Sequence, residues 1–229
     1  MPFKRLFDYF FKSMIANEVS LHSRAAGLTK ERLLVVAGEL FADRGFDSVS
    51  LRTITDRANV NLASVNYHFG SKEELIGAVV DDVVRPVNEK RLSLLSLIDY
   101  TKQDPIRKII HAFIDPVFDI SDSENDGDNK YYKLISRCIA SRDERVSSII
   151  IKQFPEVLAH FVGALTKAMP SMDSNSAHLK IMFMAGALAH SLFHYENLLL
   201  ISEGRFDLNS TEVLKSELVS FLLMGMNAS

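Results

Sequence analysis

The side chains in this chain that are best placed to do chemistry lie between Ser50 and Phe69, in SLRTITDRANVNLASVNYHF. The chemistry they suit is recognition. Leu62, Ala63, Ser64, Asn66, Tyr67 and His68 are small or hydrogen-bonding groups on one short segment, suited to entering a DNA major groove and meeting base edges or phosphates. Arg52 and Thr53 precede them and Lys72 follows. Bond-making chemistry finds weaker candidates. His190 and His194 are four residues apart and share a helix face, a spacing for a pair of metal ligands, but no HExxH pattern accompanies them. Cys138 sits among Leu134, Ile135 and Ile139 with no activating base in sequence, which reads as a buried structural thiol. Met169, Met172, Met182 and Met184 read as adaptable core packing. Neither catalysis, a metal nor a cofactor is expected.

The segment needs elements to hold it. Leu51, Ile54 and Ala58 recur at i, i+3 and i+7, and Val60, Val65 and Phe69 resume an apolar face after a break at Asn59. Two short helices meeting at an angle would bury that face. Asn59 tolerates the left-handed backbone such a turn needs, and Asn61 can cap the second helix by accepting from the amide of Ala63 or Ser64. Upstream, Thr29 reads as the cap of a bracing helix with Leu33, Ala37, Leu40 and Phe41 as its buried stripe and Gly45 as its left-handed end. Downstream, Gly70 closes the second short helix, and Ser71 with Glu74 forms a capping box that opens a longer one. Lys72, in that first turn, could help hold a phosphate.

With the flanking TKERLLVVAGELFADRGFDSVS and GSKEELIGAVV, this stretch resembles the DNA-binding domain of TetR-type bacterial transcription regulators. Phe41, Gly45, Arg52, Ile54, Ala58, Val60, Tyr67, His68, Phe69, Lys72 and Leu75 fall at the family's spacing. Two positions depart from it: Asn59 stands where the family usually has Gly, and Asn66 where it often has Tyr, which puts a phosphate contact at that position in doubt. The resemblance implies an all-α protein with an N-terminal three-helix helix-turn-helix domain and a larger helical domain for effector binding and dimerisation. It also implies a homodimer in which the last two long helices form a four-helix bundle with their mates, on a roughly palindromic double-stranded DNA operator. Candidates for base readout are Arg52, Asn61, Ser64 and Asn66; Thr53, Tyr67, His68 and Lys72 are candidates for phosphate positioning. The family's common sign is repression released by a ligand. Parts of the second half are similar to the branch that responds to fatty acids or their acyl-CoA esters, so a small hydrophobic effector is expected. A regulator with no small-molecule ligand and a non-specific DNA-binding structural protein remain as alternatives.

Length and composition agree with this frame. At 229 residues, 47% hydrophobic and 24% charged, the chain suits a globular protein of two domains. One cysteine excludes an intramolecular disulfide framework and a multi-cysteine zinc site, and fits the cytoplasm. Residues 1–72 carry 10 Lys and Arg against 7 Asp and Glu; residues 73–229 carry 16 against 22, so the basic end is the recognition end. Residues 1–28 read as an extension, with Phe3, Leu6, Phe7, Phe10 and Phe11 at helical spacing. Asp8 and Lys12 interrupt any signal-peptide core. Residues 29–75 read as the helix-turn-helix domain and residues 76–229 as the helical effector domain. In the latter, a helix from Ser71 to about Leu97 should kink or break at Pro86, and one over Ile106–Phe118 should be disturbed at Pro116. Residues 121–129 read as an acidic loop, too short of ligands for calcium. Further helices are expected over about Tyr131–Ser141, Val146–Met169, Ser176–Leu200 and Thr211–Met224. The IMFMAGALAHSLFHYENLLL segment, apolar nearly all round yet interrupted by His and Glu, reads as a central helix and not a membrane span.

Overall fold

The computed structural model describes residues 27–123, 134–135, 144–193, 201 and 211–227, and every regular element among them is an α-helix. Contacts divide the chain into two compact units, one up to Val79 and one from Val80. The expected Tyr131–Ser141 helix apart from residues 134–135, Cys138, His194 and most of the acidic loop lie outside the described residues, as do residues 1–26.

The first unit begins with α1, described over residues 27–44. Leu33, Ala37, Leu40 and Phe41 are its buried stripe, as their spacing predicts, and Phe41 packs its ring 5.3 Å from that of Phe46. Thr29 does not start this helix. The chain is already helical at residue 27, because a threonine cap is one local option and nothing in Gly27 or Leu28 forbids helical dihedrals. Gly45 ends α1 at φ +80°, its amide bonded to the Phe41 carbonyl. Next come α2 (Leu51–Ala58) and α3 (Leu62–Phe69), packed on each other. α4 (Lys72–Ser96) then leaves this unit and continues into the second.

In the second unit, α5 (Pro105–Ser123) packs on α7 (Pro155–Ala168) and α9 (Thr211–Asn227), and α8 (Ser174–Phe193) packs on the same two. The four helices therefore close around one core. Phe113 and Phe161 meet edge to face at 5.2 Å inside it, beside Leu165, Met184, Leu188 and Leu222. α6 (Glu144–Ile151) precedes α7.

Three prolines have two different outcomes here. Pro86 and Pro116 do not break their helices: α4 and α5 run through them, and α5 extends to Ser123, into the span read as an acidic loop. Each proline deprives a carbonyl one turn back, of Asp82 or Ala112, of its helical donor. Burial of Val84 and Val87, and of Ile114 and Val117, holds the backbone helical around them. Pro155 does break the chain. The single helix expected over Val146–Met169 is two, separated at residues 152–154, with Pro155 in the first turn of α7 where its missing N–H costs nothing.

A buried polar group bridges these interruptions. Arg91, 6% exposed, donates from Nε to the Phe113 carbonyl at 2.8 Å and from Nη1 to Asn88 Oδ1 at 3.2 Å, and its guanidinium lies 4.2 Å from the Phe113 ring centroid. Asn88 in turn donates to the Gln153 carbonyl in the break before α7. The helix ends are locally satisfied as well. Asp104 sits at φ +60° and caps α5 by accepting from the Arg107 amide, and hydrogen bonds from Arg107 hold its carboxyl below the usual range. Asp173 caps α8 by accepting from the amides of Asn175 and Ser176, and the bonds from Ser176 lower its pKa likewise. Among the described residues no helix is long and apolar enough to cross a membrane.

Candidate nucleic-acid interface

The recognition segment is built from short-range signals. Ser50, in extended conformation, caps α2 by accepting from the Thr53 amide at 3.1 Å, and its hydroxyl lies 2.8 Å from the Thr53 hydroxyl. Sequence reasoning assigned Ser50 no role, although a serine directly ahead of the first apolar-periodic residue, Leu51, is a start signal. Asn59 ends α2 at φ 52°, ψ 50°, the left-handed turn expected of it. The amide of Val60 bonds the Thr55 carbonyl at 3.0 Å, which closes the turn. Asn61 is again extended and accepts from the Ser64 amide at 2.9 Å, one of the two partners expected. α3 stops at Gly70, φ +80°, where an added Cβ would run into Glu74 Oε2. Ser71 accepts from the Glu74 amide at 3.1 Å and so opens α4.

This frame sorts the side chains of α3 by face. Val65 and Phe69 are buried, together with Ile54 and Ala58 of α2, so the shared apolar face read from the sequence forms; Leu51 and Val60 lie at its half-buried margin. Lys30 of α1 stands 6.0 Å from the Phe69 ring centroid. On the other side Leu62, Ala63, Asn66 and Tyr67 face solvent, with Ser64 and His68 half-buried beside them. Tyr67 is 81% exposed, and among the described residues its one ring contact is an edge contact with His68 at 4.9 Å. α3 contains no Lys, Arg, Asp or Glu.

The charged candidates flank it. Arg52 projects from α2 with 90% of its side chain exposed, and its 4.0 Å approach to Asp56 is an open surface pair that holds it weakly. Thr53 is half-buried through its contact with Ser50. Lys72 donates to the Phe46 carbonyl at 2.7 Å, a tie between the first turn of α4 and the loop after α1. An ammonium has three donors, so this bond positions Lys72 without exhausting it. Asn61 is engaged twice, because the Ser64 hydroxyl also bonds its Oδ1 at 3.0 Å. All ten sequence-predicted residues lie within α2, α3, the Asn61 cap and the first turn of α4. In the second unit, His190 lies on the exposed side of α8, and among the described residues no group of three or more metal-type ligands is brought together.

Residues 33–79 match the family model of bacterial regulatory proteins, tetR family, and residues 111–225 match the tetracyclin repressor-like C-terminal domain. The HTH-type transcriptional repressor Rv3405c of Mycobacterium tuberculosis is 47% identical over 49 residues, 21% of this chain and 26% of that protein. The HTH-type transcriptional activator FasR of Mycolicibacterium smegmatis is 36% identical over 88 residues, 37% of this chain and 38% of its own. These curated relatives are thus matched over about a quarter to two-fifths of their length. Over the whole fold, a Clostridium perfringens protein described as a candidate fatty acid metabolism regulator superposes with a TM-score of 0.57 at 19% identity, covering 86% of this chain and 100% of that one. The first match covers the unit that carries α2 and α3, and the second alone takes in half of the chain; the protein belongs to the TetR family of bacterial regulators.

Proposed function

We propose that the protein is a sequence-specific DNA-binding transcription regulator, a homodimer on a palindromic operator, acting as a repressor that a small hydrophobic effector releases. The observation that carries this reading is the outward face of α3: uncharged, small and hydrogen-bonding, around a Tyr67 with little use within its own chain. Arg52, Ser64, Asn66 and the amide of Asn61 meet base edges, with Leu62 and Ala63 against the groove floor; Thr53, Tyr67, His68 and Lys72 meet phosphates. The protein works as a regulator and not as an enzyme, in the cytoplasm where its DNA is.

The dimer forms through α8 and α9. Ala177, Ile181, Met184 and Leu188 take one side of α8 into the core, while Leu179, Met182 and Phe183 stay half or more exposed on the other. Val213, Phe221 and Met224 do the same on α9. So large an apolar surface on two adjacent helices suits a second copy. Beyond its own helix, Gly186 on this side of α8 has none of the described residues within 4 Å of an added Cβ, which suits the approach of a partner helix. The effector binds in the second unit, whose Phe- and Leu-rich core suits an acyl chain; a fatty acid or acyl-CoA ester is the class favoured, in keeping with the Clostridium neighbour. Its binding favours a dimer whose two α3 helices no longer match the operator spacing. The relatives include a repressor and an activator, so repression rests on the family's common sign.

Selection of bound duplexes from a random DNA pool at about 150 mM salt tests the reading, since that salt suppresses purely electrostatic binding. One inverted-repeat motif is expected. Its affinity should fall at least about tenfold in a Tyr67→Ala, Lys72→Ala variant, from loss of contacts worth ~1–3 kcal/mol each. A folded dimer that selects no motif would instead be a non-specific DNA binder or no DNA binder at all.

A further inference from the structure

We infer that Leu62, with the Ala63 methyl beside it, reads thymine through its 5-methyl group. The inference rests on the DNA-reading function proposed above and names what one part of α3 recognises.

At the start of α3 the polar side chains are turned on each other. Asn61 Oδ1 accepts from the Ser64 amide at 2.9 Å and from the Ser64 hydroxyl at 3.0 Å. Two bonds use both lone pairs of that oxygen. A bidentate asparagine contact with adenine needs the oxygen as well as the amide nitrogen, so Asn61 keeps only its NH2 group for a base. What this turn offers outward instead is hydrocarbon: Leu62, 49% exposed, and the exposed methyl of Ala63. A single exposed leucine on a protein surface ordinarily carries no message. Its place on the helix supplies one, because the second helix of a helix-turn-helix meets base edges with its N-terminal residues. Leu62 is the first residue of α3. Nor is it a failed core residue, since Val65 and Phe69 already supply the buried side of this helix. Of the groups that line the major groove, the thymine 5-methyl is the apolar one, and aliphatic side chains are its natural complement.

Uracil differs from thymine by that methyl alone. With the operator found by selection, thymines are replaced by deoxyuridine one at a time and the affinity ratio is measured at each. One or two positions in each half-site should lose about fourfold, the worth of one buried methyl. Leu62→Ala, or Leu62→Ala with Ala63→Ser, should bring the ratio at those positions close to one, and neither change touches a buried side chain. Tyr67→Ala should lower every affinity and leave the ratio as it was. The inference is overturned if the unmodified protein binds thymine and uracil operators equally, or if its preference survives both Leu62 variants. A folded dimer that selects no operator removes the DNA-reading function first, and this inference with it.

Discussion

The two units of the chain are stabilised differently. In the first, each element starts and stops on a signal a few residues long: Ser50, Asn59, Asn61, Gly70 and Ser71 each make or permit one bond that sets a helix end. In the second, three prolines interrupt the helical ladder, and a four-helix core together with the buried Arg91 and Asn88 decides which interruption becomes a break. Their exposed faces differ as well. α3 shows uncharged, mostly small or polar groups, whereas α8 and α9 show Phe, Met, Leu and Val. A unit of short-range signals keeps its shape at low cost in buried area, which leaves a face for a groove. A unit that depends on its core has apolar residues enough to leave a second stripe outside.

Substitutions at three positions put that contrast at risk. Phe161→Ala removes a fully buried ring from the centre of the second unit and should cost about 4 kcal/mol in urea denaturation at constant m; a loss under about 1 kcal/mol would mean that the four-helix core does not carry this unit. Phe183→Asp changes a side chain that is 62% exposed, so the subunit should fold as before while the dimer weakens about a hundredfold in sedimentation. An unchanged dimer constant would assign the α8 and α9 stripe to something other than a second copy. The smallest effect belongs to the first unit. Asn59→Ala should cost about 1 kcal/mol, because alanine resists the left-handed conformation, and Asn59→Gly should stay within about 0.5 kcal/mol of the starting protein. Equal melting of the two variants would show that the turn between α2 and α3 is not set by that backbone angle.

The uneven legibility of the sequence follows the same division. Asn59, Asn61, Gly45 and the stripe from Leu33 to Phe41 could be read because a cap or a left-handed residue acts over three or four positions, all of them visible in the string. Thr29 misled because a cap signal does not fix where a helix begins, and Gly27 and Leu28 are already helical ahead of it. Pro86, Pro116 and Pro155 could not be ranked from sequence, since each removes the same N–H and only the packing around it differs. The site shows the limit in miniature. Residue types and spacing determined that α2 and α3 form, where they turn and which side chains leave the core, because those outcomes rest on local hydrogen bonds and period. Only the tertiary structure decided that Asn61 Oδ1 is committed to Ser64, that Lys72 is tied to the Phe46 carbonyl 26 residues away, and that Arg91 is buried against Phe113. A side chain has several partners within reach in sequence, and which one it meets depends on distances that exist only after the helices have packed.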